Sequence, residues 1–222
     1  MKRPLKTALI IIVVLLALVW VFLSFLLDST VKAAMETVLP RITGTPVRLE
    51  RVNFSLLSGH GTIGGLVIGN PPGFHTSDAI RVKNASVQIS VLSLLSDRIE
   101  IEDIRIAGTQ VTYETGLSGS NIGAIQANVE KFAGARRAGK AVQVNHLLIE
   151  GGKIAVSATA VQGVGAIVRL PPVELSSVGS GTGGTSAGEV ARKVFGTLVD
   201  AIGRAVGEVG DTSAEGSQGP LK

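Results

Sequence analysis

The chain contains no cysteine, so neither a disulfide nor thiolate chemistry is open to it, and its stability must rest on packing alone. Aromatic residues make up only 4% of its 222 residues, too few to build a thick helical core around large rings. The three histidines, His60, His75 and His146, stand far apart with no second ligand at metal-binding spacing. A dominant charge of one sign is missing as well. The net charge is +4, yet Lys2, Arg3 and Lys6 sit in a short head, and beyond Leu27 the other 18 basic residues are interspersed with 17 acidic ones. Without a basic patch or stripe, nucleic-acid binding loses its electrostatic basis.

What the chain does hold is 28 glycines and a wealth of Val, Ile, Leu and Ala, a composition suited to strands and tight turns. It also holds one long apolar run. From Ala8 to Leu27 the only polar side chain is Ser24. At about 1.5 Å per helical residue such a run matches the roughly 30 Å hydrocarbon core of a bilayer, so it predicts a transmembrane helix. The basic head would stay cytoplasmic and everything after Asp28 would be exported. A cleaved secretory signal is the competing account, with Val31, Lys32 and Ala33 as the cleavage pattern. Signal cores run only about 7 to 15 residues, which favours the uncleaved anchor.

Residues 28–44 predict a stalk helix, with Val31, Met35 and Val38 or Leu39 at helical spacing and Pro40 and Gly44 ending it. Residues 45–178 predict a β-rich domain. Val47–Phe54, Thr62–Ile68, Ile80–Val91 and Arg98–Ile106 alternate apolar with polar residues over part of their length, as an antiparallel meander would, and Val111–Glu114 continues it. Asn121 as N-cap opens a short amphipathic helix to about Phe132, followed by Arg136, Arg137 and Lys140 where positive charge suits the helix dipole. A second β-region runs from Ala141 to Leu175, and Gly151–Gly152 reads as a hairpin turn. Residues 179–188 read as a Gly/Ser linker, 189–209 as an amphipathic helix docked on the sheet, and 210–222 as a disordered tail. The expected fold is thus mainly β with a few helices: an N-terminal transmembrane helix, a bent antiparallel sheet, and two short amphipathic helices packing on or near it.

Three patterns resemble chemistry without its context. Gly59, Gly61 and Gly64 have dinucleotide-fingerprint spacing, but a β-run follows where a phosphate-binding helix should start, so hairpin glycines explain them better. Gly184, Ser186 and Gly188 match a nucleophile elbow, yet no strand precedes them and every histidine lies upstream. Glu100, Glu102 and Asp103 resemble a carboxylate cluster, but on an alternating strand the two glutamates simply form the wet face. Asn53 and Asn84 begin glycosylation sequons. No enzyme, metal or cofactor is expected from these residues.

The order of features resembles the N-terminal region of AsmA-like proteins: a single apolar span, a short helix, the segments Leu39–Phe74 and Ile80–Glu114, then the helix after Ser120. Gly44 with Val47, the Gly69–Phe74 turn, the Ser93–Leu95 turn and the Ile99–Glu114 strand pair carry the likeness, over about residues 1–135 and loosely to Leu175. The resemblance implies an inner-membrane, single-pass protein whose periplasmic part is a bent sheet with an apolar concave face, involved in lipid transport or envelope maintenance. This chain lacks the long series of repeated strands of larger relatives.

The candidates for that apolar face are Val87, Ile89 and Val91 in one run and Ile99 and Ile101 in the next. Val142 and Val144, then Ile154 and Val156, complete it in the second β-region. Helices, a partner chain or acyl chains must cover such a face, and an ordinary closed core uses the same residues. Two functions follow as expectations: a non-enzymatic module that handles membrane lipid through its acyl chains, or a scaffold or assembly factor that offers a sheet edge to envelope proteins.

Overall fold

The computed structural model describes residues 13–15, 28–116, 119–135, 139–158, 161–181 and 185–215. Helix α1 spans residues 28–43, and four antiparallel strands follow: β1 (Val47–Ser55), β2 (His60–Gly69), β3 (Asp78–Ile89) and β4 (Arg98–Gly116). A 3-10 turn, Val91–Leu95, joins β3 to β4. After β5 (Gly119–Ser120) come α2 (Asn121–Gly134), β6 (Ala141–Glu150), β7 (Gly152–Ala158), β8 (Val161–Leu170), β9 (Val173–Val178) and α3 (Ala187–Glu215).

The first four strands form the expected meander, but the sheet is mixed. Both β6 and β7 lie parallel to β4, because α2 carries the chain back across the sheet as a crossover. The antiparallel expectation fails at that point. The Gly151–Gly152 hairpin fails with it, since β6 and β7 run in one direction along the 19-residue β4 with Gly151 as a crook between them. Similarly, β8 and β9 pair with β7 and β6, joined through Pro171 and Pro172. In effect the sheet is six strands wide, and β1 and the β8–β9 line form its edges.

One transverse line bends the sheet from β1 across to the β6–β7 line. Inward-facing residues that should recur every two positions recur after three at Leu49/Val52, Ile63/Leu66, Val82/Ala85 and Ile106/Thr109. The residues at the line are Glu50, Gly65, Lys83 and Gly108, and it continues through Gly151. Gly65 and Gly108 have φ of +64° and +69°, which a side chain with a Cβ disfavours, so the pleat reverses there at no steric cost. A second, shorter line at Glu102, Asn145 and Ser177 produces the same three-residue step in β4, β6 and β9, and Ser177 adopts φ +56°.

The three helices cover one face of the sheet. Val31, Met35 and Leu39 of α1 pack on Val47, Leu49 and Val52 of β1. Ile122, Ile125 and Val129 of α2, with Leu198, Ala201, Ile202 and Ala205 of α3, join Ile80, Val111, Val144, Leu147 and Ile154 in the main core. Each fully buried aliphatic side chain there contributes about 1.5–3 kcal/mol before entropy is counted. Helix α1 also binds the free edge of β1. Asp28 Oδ1 accepts from the Phe54 amide at 2.6 Å, Glu36 Oε1 accepts from the Leu49 amide at 3.0 Å, and Lys32 Nζ donates to the Glu50 carbonyl at 3.2 Å.

Other boundaries shift for local reasons. Helix α1 runs past Pro40 and ends at Gly44, whose amide donates to the Pro40 carbonyl at 2.8 Å. Ser120 rather than Asn121 caps α2, its Oγ accepting from the Gly123 amide at 3.1 Å. Gly61 and Gly64 lie within β2, and only Gly59 sits in the turn. Part of the expected linker is ordered, because the Val142 amide donates to the Thr185 carbonyl at 2.7 Å. Helix α3 is 29 residues long and reaches Glu215, into the segment expected to be disordered. Arg136 and Arg137 lie outside the described residues.

The transmembrane expectation is corrected: among the described residues no helix is long and apolar enough to cross a membrane. Of the helices described, α1 carries Lys32, Glu36 and Arg41, and α3 repeats charged residues from Glu189 to Arg204 along one side. The single-pass inner-membrane localisation, with its exported bulk, therefore has no support. Apart from Val13–Leu15, the run Ala8–Leu27 lies outside the described residues.

Candidate functional site

The polar clusters fasten separate elements of the fold to one another. Glu114 is 1% exposed at the end of β4, and its carboxylate accepts from the His75 and Thr76 amides and from the Thr76 hydroxyl at 2.7–3.1 Å. Asn121, fully buried, accepts from the Glu114 and Ile122 amides and donates to Asn70 Oδ1 and the Thr112 carbonyl. The network fastens the loop between β2 and β3 to the start of α2. His75 Nδ1 lies 3.5 Å from Glu114 Oε1 at its exposed rim.

On the uncovered face of the sheet, His146 sits between two carboxylates, with Nδ1 2.6 Å from Asp103 and Nε2 3.1 Å from Glu174. Its pKa is raised, chiefly by the hydrogen bond to Asp103 and then by that to Glu174. The hydrogen bond from His146 lowers the Asp103 pKa, assisted by Arg105 Nε at 2.9 Å. This arrangement ties β4, β6 and β9 together. Beside it Asn145 bridges Gln143 and Glu100, while Glu102 projects into solvent at the short bend line. Sequence spacing could not show His146 with Asp103, 43 residues away, because the parallel pairing of β4 and β6 makes the contact. Among the described residues no group of three or more His, Cys, Asp or Glu could hold a metal ion. Ser186 of the elbow-like pattern receives the Glu189 amide at the start of α3, and Gly188 packs against Ala133 and Phe132.

The apolar candidates divide into two groups. Val144 and Ile154 are wholly buried in the main core, and Ile101, Val142 and Val156 pack against it. Val87, Ile89, Val91 and Ile99 remain half-buried at the end of the sheet where β1 turns into β2 and β3 into β4. Phe54 and Val87 close over Gly61 there, leaving a Cβ on that glycine only 2.8–2.9 Å from both side chains.

Sequence reasoning missed the surface next to this strip. Leu56 and Leu57, in the β1–β2 turn, are 52% and 79% exposed, and Leu92 and Leu95, in the 3-10 turn, are 81% and 88% exposed. The two turns adjoin. Gln88 Nε2 donates to the Ser58 carbonyl at 2.7 Å, and the Ile89 amide donates to the Gly59 carbonyl at 2.8 Å. A signal was present, since both turns read Ser-Leu-Leu-Ser, at 55–58 and 93–96. Compared with known proteins, the chain matches no family model, no curated protein and no solved structure.

Proposed function

We propose that this chain is a non-enzymatic lipid-handling module that receives acyl chains against the strip formed by Val87, Ile89, Val91 and Ile99. The observation that carries the reading is the uneven cover of the apolar face: three helices bury most of it, while these four aliphatic residues stay half-buried at one end. A continuous aliphatic strip with no polar group to fix orientation suits a flexible hydrocarbon better than a polar metabolite. The resemblance to AsmA-like proteins points the same way.

The test is mass spectrometry of lipid extracted from the purified full chain, beside Ile89→Glu and Ile99→Glu variants. Phospholipid should accompany the parent chain, and the charged variants should carry it at about one tenth or less, since one buried carboxylate costs several kcal/mol. Equal lipid in all three, or none in the parent, would refute the strip. A second reading, a scaffold acting through protein contacts, draws on the β8–β9 edge, where Ile167 is 71% exposed. It predicts partner crosslinks at that edge and an interior free of lipid.

A further inference from the structure

We infer that the paired leucine turns, Leu56–Leu57 and Leu92–Leu95, are the surface by which this molecule seats on a lipid bilayer. The inference extends the proposed acyl-chain reading by naming where lipid is met, but it stands on residues outside that strip and invokes no membrane-crossing helix.

Three observations converge on this end of the sheet. First, the same Ser-Leu-Leu-Ser tetrapeptide occupies two neighbouring turns, and its Leu56, Leu57 and Leu95, with Leu92 just before the second copy, are among the exposed large apolar side chains described. Second, the serines take up local polar groups. The Ser93 Oγ donates to the Ser90 carbonyl at 2.6 Å and accepts from the Glu100 amide at 2.9 Å, and the Ser96 Oγ donates to the Ser93 carbonyl at 2.8 Å. Ser55 Oγ receives the Ser58 amide at 3.4 Å. Backbone satisfied in this way can approach hydrocarbon without stranding donors or acceptors. Third, Asp28 is fixed to the Phe54 amide, two residues from Leu56, so the sequence preceding Asp28 joins the domain at this end. That sequence is the apolar run Ala8–Leu27.

A lipid surface fits better than a protein. Two turn tips expose only a few leucine side chains, far below the roughly 1,200 Å² of buried area that a stable protein interface needs. Apolar tips that insert a few ångströms need no such area. Among the described residues Lys140, whose ammonium donates to the Leu94 carbonyl at 2.7 Å, Arg98 and exposed Asp97 give the rim mixed charge, and apolar insertion of the tips needs no anionic headgroup.

The absence of cysteine makes the test clean. Leu57→Cys, Leu95→Cys, Ser77→Cys and Gln110→Cys full chains are each labelled with the environment-sensitive fluorophore NBD, checked for parental circular dichroism, and added to phosphatidylcholine vesicles with and without doxyl-lipid quencher. Labels at positions 57 and 95 should shift to the blue, brighten several-fold and be quenched. Labels at Ser77, in the loop at the opposite end, and Gln110, on the uncovered face, should do neither. Response at all four positions, at none, or at one turn alone would overturn the seat. A chain that carries no extractable lipid yet reports both turns in the bilayer would lose the acyl-strip reading and keep this one.

Discussion

Gly65 faces Glu50 across the β1–β2 ladder so closely that a Cβ on the glycine would lie 2.3 Å from the glutamate carboxyl carbon. The two occupy the step between the pairs Leu49–Leu66 and Arg51–Gly64, where the pleat reverses. Glu50 is exposed and its carboxyl can swing aside, so the constraint on Gly65 is mainly its φ of +64°. Gly65→Ala and Gly108→Ala should each destabilise the fold by about 1–2 kcal/mol, the cost of holding a Cβ-bearing residue in the left-handed region. Urea midpoints measure this, and unchanged midpoints would show that the bend line does not need its glycines.

These bends explain what the sequence disclosed and what it hid. Alternation was readable where it lasted, as in Val87–Ile89 of β3, although the pattern ran on to Val91, which opens the 3-10 turn, and the amphipathic spacing of Ile122, Ile125 and Val129 was as clear. At Leu49/Val52 and Val82/Ala85 the three-residue step looks like a pattern breaking down. It is a change of face, visible only once neighbouring strands show it in register. Gly151–Gly152 carries a hairpin's local chemistry, and only the distant β4 decides that the chain continues forward. At the candidate site, the half-buried Val87–Ile99 strip drew on residues the alternation had already marked. The leucine turns escaped because exposure is a property of the packed molecule, not of composition.

Replacing Glu114 by alanine should cost about 1–3 kcal/mol, because the His75 and Thr76 amides lose their acceptor. The same change should release the 70–77 loop, read as faster hydrogen exchange at those two amides while core amides of β3 change less. Uniform acceleration across the domain would mean that Glu114 supports the whole fold rather than this loop.

The His146 cluster sets a pH dependence with a definite sign. The folded-state pKa of His146 lies above the ordinary 6.5, so its contribution is fully present below 6.5 and is lost as pH rises through the raised value. Asp103 is lowered from 3.8, so its contribution is present above 3.8 and is lost as pH falls through the lowered value. Both act together between 3.8 and 6.5. The urea midpoint of the parent should exceed that of His146→Gln most within this window, and the gap should narrow toward pH 9. A gap independent of pH would assign His146 a packing role only.

Ile202 on α3 is wholly buried, whereas Arg204, two residues on, is exposed. Ile202→Ala should destabilise by about 2–5 kcal/mol. Arg204→Ala should stay within about 0.5 kcal/mol. Comparable effects at both positions, judged by thermal and urea unfolding, would contradict the docking of this helix.

The three contacts that α1 makes along β1, through Asp28, Lys32 and Glu36, leave the two borders of the sheet unequal. Among the described residues one border is occupied by the molecule's own helix, and the β8–β9 border is left to pair with an incoming strand. A ribbon with a single available border accepts one neighbour and is then exhausted. Self-association by strand pairing therefore terminates at a two-fold dimer and does not propagate into a fibre.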